Sequence, residues 1–300
     1  MKQFYHYCAD GQDSRNFIIS RNDYIAAMNI IALCAANTEA AVVAFSLEDS
    51  HPHKLIFGTI EECAAFKEMF ETLFRHYAVR SRLGKGEYYL RGELYPIGED
   101  LSYLKNVAVY TIIQPTKDGK RVMPYDYLWG TGSLYFRDKR FLPIWRFDDS
   151  GNVCPVVSFG SLSKQRQREM VHSRKYTVPS DWKVCNGIIL PTNYVDISRF
   201  ESIYGTHNTF RVFLSNNRQK EEEILRRMAG DRGVSLEDGE VRQLCGDECK
   251  QLFGIRDPRR LSPQERIVLA QTLRRKHRIS FRQLAFAVRL PEKEIRRNTR

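Results

Sequence analysis

The sequence has no Gly-rich phosphate loop, no unbroken apolar run and no cysteine pattern of a secreted scaffold, and each absence removes a class of protein. Without a P-loop or a G-x-G-x-x-G turn opening a helix, no ready cradle for a bound nucleotide's phosphates is present. The longest apolar stretch, YIAAMNIIALCAANTEAAVVAF, is interrupted by Asn29, Asn37, Thr38 and Glu39, which is too polar for a spanning helix. The start, MKQFYHYCADGQ, lacks a basic segment followed by an apolar one, so a cytoplasmic protein without membrane contact is expected. The 7 cysteines are odd in number and scattered, unlike a disulfide framework. Cys245 and Cys249 form a C-x-x-x-C with no second pair, which suits neighbours on one helix face better than a zinc site. Apart from Glu48 and Asp49, no carboxylates cluster near a histidine pair, so a carboxylate-rich metallohydrolase is the weakest reading.

Acidic residues are also scarce at one end. Residues 256–300 hold 14 Lys plus Arg against 4 Asp plus Glu, so this short segment carries +10 of the chain's net +11. A concentrated basic segment suits docking on a polyphosphate, where each neutralised phosphate releases a counterion. The segment is also organised. In LSPQERIVLAQTLRRKHRISFRQLAFAVRLPEKEIRRNTR, Ser262, Pro263 and Glu265 form an N-cap, an N1 proline and a capping-box acid. Ile267, Leu269, Ala270 and Leu273 give the first helix an apolar stripe. Leu284, Ala285 and Val288 give one to a second helix, and a third starts near Pro291. This pattern predicts a helix-turn-helix whose Arg282, Lys293, Arg296, Arg297 and Arg300 face DNA. Its turn holds Arg289 and Leu290 where a glycine is common.

With 42% hydrophobic and 12% aromatic residues in 300, the chain has material for about two cores. FYHYCA, EAAVVAFSL, HKLIFGT and EYYLRGELYPI are rich in β-branched and aromatic residues and read as strands. SRNDYIAAMNIIALCAAN, TIEECAAFKEMFETLFRHYAVRSRL and GEDLSYLKNVAVYTIIQP read as helices, the last stopped by Pro115. The expectation is an α+β fold, a small sheet covered by helices. Residues 1–146 then form one domain, 147–255 an accessory region that includes a charged helix at NRQKEEEILRRMAGD, and 256–300 the basic module.

One constellation carries chemistry. In EDSHPHKLIFGT, His51 and His53 are two apart, so in a strand they share a face and converge on one ion. Tyr110 and Gln114 are four apart on a helix, which presents a phenol beside a carboxamide. Two imidazoles and an amide oxygen leave positions for phosphate oxygens on a divalent ion, with a tyrosine placed to attack. On residues alone, His51 and His53 could equally be surface histidines, Tyr110 plain core, and Gln114 a helix cap.

The chain resembles the REP-associated tyrosine transposases, single-tyrosine HUH endonucleases, in longer forms that carry a C-terminal helix-turn-helix. The resemblance lies in FYHY, RNDYIAAMNIIALCA, VVAFSLEDSHPHKLIFGT, NVAVYTIIQP, PYDYLWGTGS and LPTNYVDISRFESIYG. It implies a ferredoxin-like HUH core. It also implies Mg²⁺ or Mn²⁺ at His51, His53 and Gln114, attack by Tyr110 on hairpin-flanked single-stranded DNA through a 5′-phosphotyrosine link, and a nucleoid-associated location. It leaves a homodimer open. No residue is assigned to an organic cofactor. Pro52 and Lys54 depart from the family's pattern around its histidines, and TKDGKR departs after the tyrosine. These departures admit a second reading, a DNA-binding regulator with cleavage weakened.

Overall fold

The β-branched and aromatic runs become strands and the periodic runs become helices. Their order is β1 (Gln3–Cys8), β2 (Ser14–Arg15), α1 (Arg21–Asn37), β3 (Ala41–Leu47), β4 (Pro52–Gly58), α2 (Ile60–Ser81), β5 (Tyr89–Leu90), β6 (Glu93–Pro96) and α3 (Leu101–Lys117). The computed structural model describes residues 1–9, 14, 15, 17–81, 88–117, 122–138, 142–148, 150–216, 224, 238–277, 279 and 281–298. The charged helix expected at NRQKEEEILRRMAGD lies, apart from Ile224, outside the described residues. Contacts divide the chain into two compact units, Met1–Lys220 and Glu221–Arg300. The expected junction at 146/147 falls inside the first and that at 255/256 inside the second.

The first unit mixes helices with antiparallel sheets. Its main sheet runs β3-β4-β1-β6, with β4 and β1 central. Successive side chains of a strand point to opposite faces. On β4 this sends Lys54 against the Phe70 ring of α2, and His53 against the Tyr110 ring of α3. Pro52 has no N–H to give a ladder, and its place suits that: β1 ends at Cys8 opposite His53, so Pro52 pairs only with Leu47 of β3. The expectation that Pro115 stops its helix is corrected, because α3 runs on to Lys117 with Pro115 inside its last turn. So near a helix end, a proline forfeits one backbone bond and the two residues beyond it still complete the turn.

The accessory region wraps this sheet. Asp196 donates its backbone N–H to Val42 at 2.8 Å and so covers the outer edge of β3. After β7 (Val157–Ser158) and α4 (Lys164–Val171), the strands β8 (Lys183–Cys185) and β9 (Ile188–Ile189) follow, and β9 lies against α1. Asn29, the polar break in the longest apolar run, explains itself there. Its side chain donates to the Gly187 carbonyl and accepts from the Ile189 N–H, both at 2.8 Å. The helices α5 (Ile197–Tyr204) and α6 (His207–Asn216) complete the described part of the unit.

The second unit holds α7 (Asp238–Phe253), α8 (Pro263–His277), α9 (Phe281–Val288) and α10 (Glu292–Asn298). Ser262 and Glu265 close a reciprocal capping box: the Ser262 N–H donates to Glu265 at 2.8 Å, and the Glu265 N–H to the Ser262 hydroxyl at 3.4 Å. Cys245 and Cys249 lie buried in one core with Leu269, Leu273, Leu284 and Ile295. Glu248 binds Lys276 at 2.9 Å, which ties α7 to α8 and holds its carboxyl below the usual carboxylate range. The basic segment from residue 256 therefore shares its core with α7. The 7 cysteines form no disulfide.

Arg289 ends α9 in the left-handed region at φ 58°, and the Leu290 N–H reaches back to the Ala285 carbonyl at 3.2 Å. This is a Schellman-type ending with arginine where glycine fits best. Arg289→Gly is expected to raise the stability of this unit by about 1 kcal/mol, and a lowered denaturation midpoint would count against the strain.

Candidate metal and tyrosine site

The sheet register assembles the site. Cys8 pairs with His53 and His6 with Leu55, so Cys8, His6 and His53 share one face of the β1–β4 ladder. His51 lies just before β4, in the turn closed by the Glu48 N–H to the His51 carbonyl at 3.0 Å. The two rings nevertheless converge, and their Nε2 atoms stand 2.9 Å apart. Each ring is held from behind. Ser50 Oγ lies 2.7 Å from His51 Nδ1, and His6 Nε2 lies 3.3 Å from His53 Nδ1. Burial, with His51 nearby, lowers the pKa of His6 to about 3. His6 is therefore neutral at ordinary pH and able to accept a hydrogen bond from His53 Nδ1.

The pair fits a metal. Two nitrogens bound at right angles to one ion at about 2.1 Å would stand about 3 Å apart, close to the observed gap. Cys8 joins them: its Sγ is 4.0 Å from His53 Nε2, and the donor atoms of Cys8, His51 and His53 all lie within 4.8 Å of one another.

Tyr110 comes to the same place from α3. Its ring stands edge-on to His53 at 5.5 Å and to His6 at 5.8 Å between centroids. The tyrosine is only 5% exposed. Its phenol therefore offers little surface to solvent. Gln114 is buried one turn later and donates its amide to the Tyr110 carbonyl at 2.8 Å, which leaves its oxygen as the atom able to face an ion.

The segment PYDYLWGTGS braces the turn that carries His51. Leu47 donates to the Trp129 carbonyl at 3.0 Å, and the Tyr127 hydroxyl donates to the Leu47 carbonyl at 2.5 Å. Trp129 stacks on Tyr24 at 4.7 Å, and Tyr24 donates its hydroxyl to the Asp49 carboxylate. Gly132 is required for close approach, since an added Cβ would lie 2.3 Å from the Pro124 carbonyl oxygen.

Of the residues expected at DNA, Lys293 and Arg297 are exposed on α10. The side chains of Arg282 and Arg296, and all of Arg300, lie outside the described residues. Sequence reading missed His6, Cys8 and the Tyr24–Asp49 brace. The signal for the first two was available in the alternation of FYHYC, which sets His6 and Cys8 on one face of β1.

No family model matches the chain, and no curated protein matches it. A solved structure of a REP-associated tyrosine transposase bound to a REP hairpin is similar to it, at 15% sequence identity and a TM-score of 0.34, over 50% of this chain and 91% of that one. At so loose a superposition, the functional reading rests on the side chains of the site. Among the described residues, no helix is long and apolar enough to cross a membrane.

Proposed function

We propose that the chain is a metal-dependent single-stranded DNA endonuclease and strand transferase of the HUH single-tyrosine kind, acting on hairpin-flanked DNA. The observation that carries this reading is the convergence of His51 and His53, with their Nε2 atoms 2.9 Å apart, beside the Tyr110 ring. The order β1-α1-β3-β4-α2-β6 and the sheet order β3-β4-β1-β6 support a ferredoxin-like core. In this reading His51 and His53 hold Mg²⁺ or Mn²⁺, with Gln114 as the further ligand. A bound divalent ion supplies positive charge to a non-bridging phosphate oxygen.

The chain's own residues do the rest. The Tyr110 phenol oxygen forms a bond to phosphorus, the bond from phosphorus to the 3′ oxygen breaks, and the phenol's proton leaves so that the released strand ends in a 3′-hydroxyl. The phosphotyrosine link keeps the energy of the phosphodiester, so a new 3′-hydroxyl can reverse the attack and join another end. Incubation with Mn²⁺ and labelled hairpin-flanked DNA is expected to give a covalent adduct that chelator prevents.

The basic module is assigned to docking, as a helix-turn-helix formed by α8, α9 and α10. Lys293→Ala and Arg297→Ala are each expected to weaken binding across unrelated sequences and to lower the salt slope of the affinity by about 1. An unchanged slope in both would remove α10 from the DNA interface.

The 5% exposure of Tyr110 favours a second reading, a DNA-binding regulator that does not cleave. It predicts salt-sensitive DNA binding with no adduct under any metal.

A further inference from the structure

We propose that Cys8 is the third ligand of the histidine site, and that the site takes a borderline ion such as Zn²⁺ or Co²⁺ ahead of Mg²⁺. The inference rests on the reading of His51 and His53 as metal ligands and narrows the class of ion they hold.

The donor set decides the class. Mg²⁺ takes oxygen ligands, whereas two imidazoles and a thiolate suit Zn²⁺ and its neighbours. The group formed by Cys8, His51 and His53 contains no carboxylate. Of the two acids of the turn, Asp49 accepts from Tyr24, and one oxygen of Glu48 accepts from the Ser46 hydroxyl at 3.0 Å. Gln114, the oxygen ligand expected from sequence, donates its amide N–H to the Tyr110 carbonyl, and its oxygen would add one hard donor beside two imidazoles and a thiolate.

Register decides the ligand. Cys8 sits directly opposite His53 across the β1–β4 ladder, so the thiol and the imidazole share a face without any backbone change. In a tetrahedral zinc site, sulfur and nitrogen ligands stand about 3.6 Å apart and two nitrogens about 3.4 Å, so the 2.9 Å gap between His51 and His53 opens slightly on binding. The observed 4.0 Å between Cys8 Sγ and His53 Nε2 closes with a small side-chain movement. The thiol donates to the Ala9 carbonyl at 3.5 Å, a weak bond. On binding, the thiol's proton passes to solvent and the sulfur's lone pair goes to the ion. His51 is half-exposed, which gives the ion a way in.

The test is a Co²⁺ titration of the full chain, read by absorption and calorimetry. The expected result is a sulfur-to-cobalt charge-transfer band that excess Mg²⁺ does not remove. Cys8→Ser should lose the band and bind Co²⁺ at least ~10-fold more weakly, while Gln114→Leu keeps the band. X-ray absorption of the wild-type zinc complex, which needs no variant, should show one sulfur in the first coordination sphere. Binding that has no such band and no sulfur would overturn the role of Cys8 while leaving the histidine site intact. Binding unchanged in His51→Ala and His53→Ala would remove the site itself and the inference with it.

Discussion

Tyr110→Phe is expected to abolish covalent capture of DNA while leaving DNA affinity and metal affinity unchanged. The substitution deletes a single oxygen. The ring that packs edge-on against His53 and His6 remains, and with it the contacts that hold the imidazoles from this side. What disappears is the proposed nucleophile, and no step of the proposed reaction can proceed without a bond from that oxygen to phosphorus. The loss should be complete in an adduct assay, because a nucleophile's role is not shared with its neighbours. Adduct persisting in Tyr110→Phe would mean that another residue attacks. Weakened metal binding in the same variant would instead place the phenol on the ion.

Lys54→Met should raise the stability of the first unit by about 1–3 kcal/mol, a shift of roughly 2–4 °C in Tm for each kcal/mol. Lys54 is 0% exposed, and its ammonium makes no hydrogen bond among the described residues. Burial pushes its pKa well below the ordinary lysine value, against a smaller opposing pull from Glu71. The rings of Phe70 at 3.4 Å and Tyr7 at 3.9 Å are its nearest compensation. Methionine keeps the length of the side chain and needs no compensation. Because Lys54 and His53 point to opposite faces of β4, adduct formation should not change. A drop in stability would show that the amine has a polar partner or that the ring contacts outweigh its desolvation.

His53 and Lys54, adjacent on β4, differ sharply in how far the sequence declares them. The histidine pair could be read because its spacing is local. So could the Ser262–Glu265 capping box, a motif that needs only residues three apart. His6 and Cys8 could not be placed, since their meeting with His53 depends on the β1–β4 register, a pairing across more than forty residues. Lys54 looked like a charge beside a site. Its burial follows from α2 covering the face opposite His53, which no local pattern declares. Tyr110 was legible as a residue on α3 and as a core candidate, but its place beside His53 was not, because that belongs to the packing of α3 on the sheet. Pro115 misled for the opposite reason: the proline forfeits only its own bond to the preceding turn, and the two residues beyond it still complete the helix.

The account stands on one bond, between the Tyr110 oxygen and a DNA phosphorus. The full chain should therefore be incubated with Mn²⁺, and in parallel with Zn²⁺, and hairpin-flanked single-stranded DNA, then digested and mapped by mass spectrometry. The account predicts a nucleotide phosphate on the peptide that carries Tyr110 and on no other tyrosine. DNA that binds tightly with no modified peptide under either metal, or a phosphate mapped to a different residue, would contradict it.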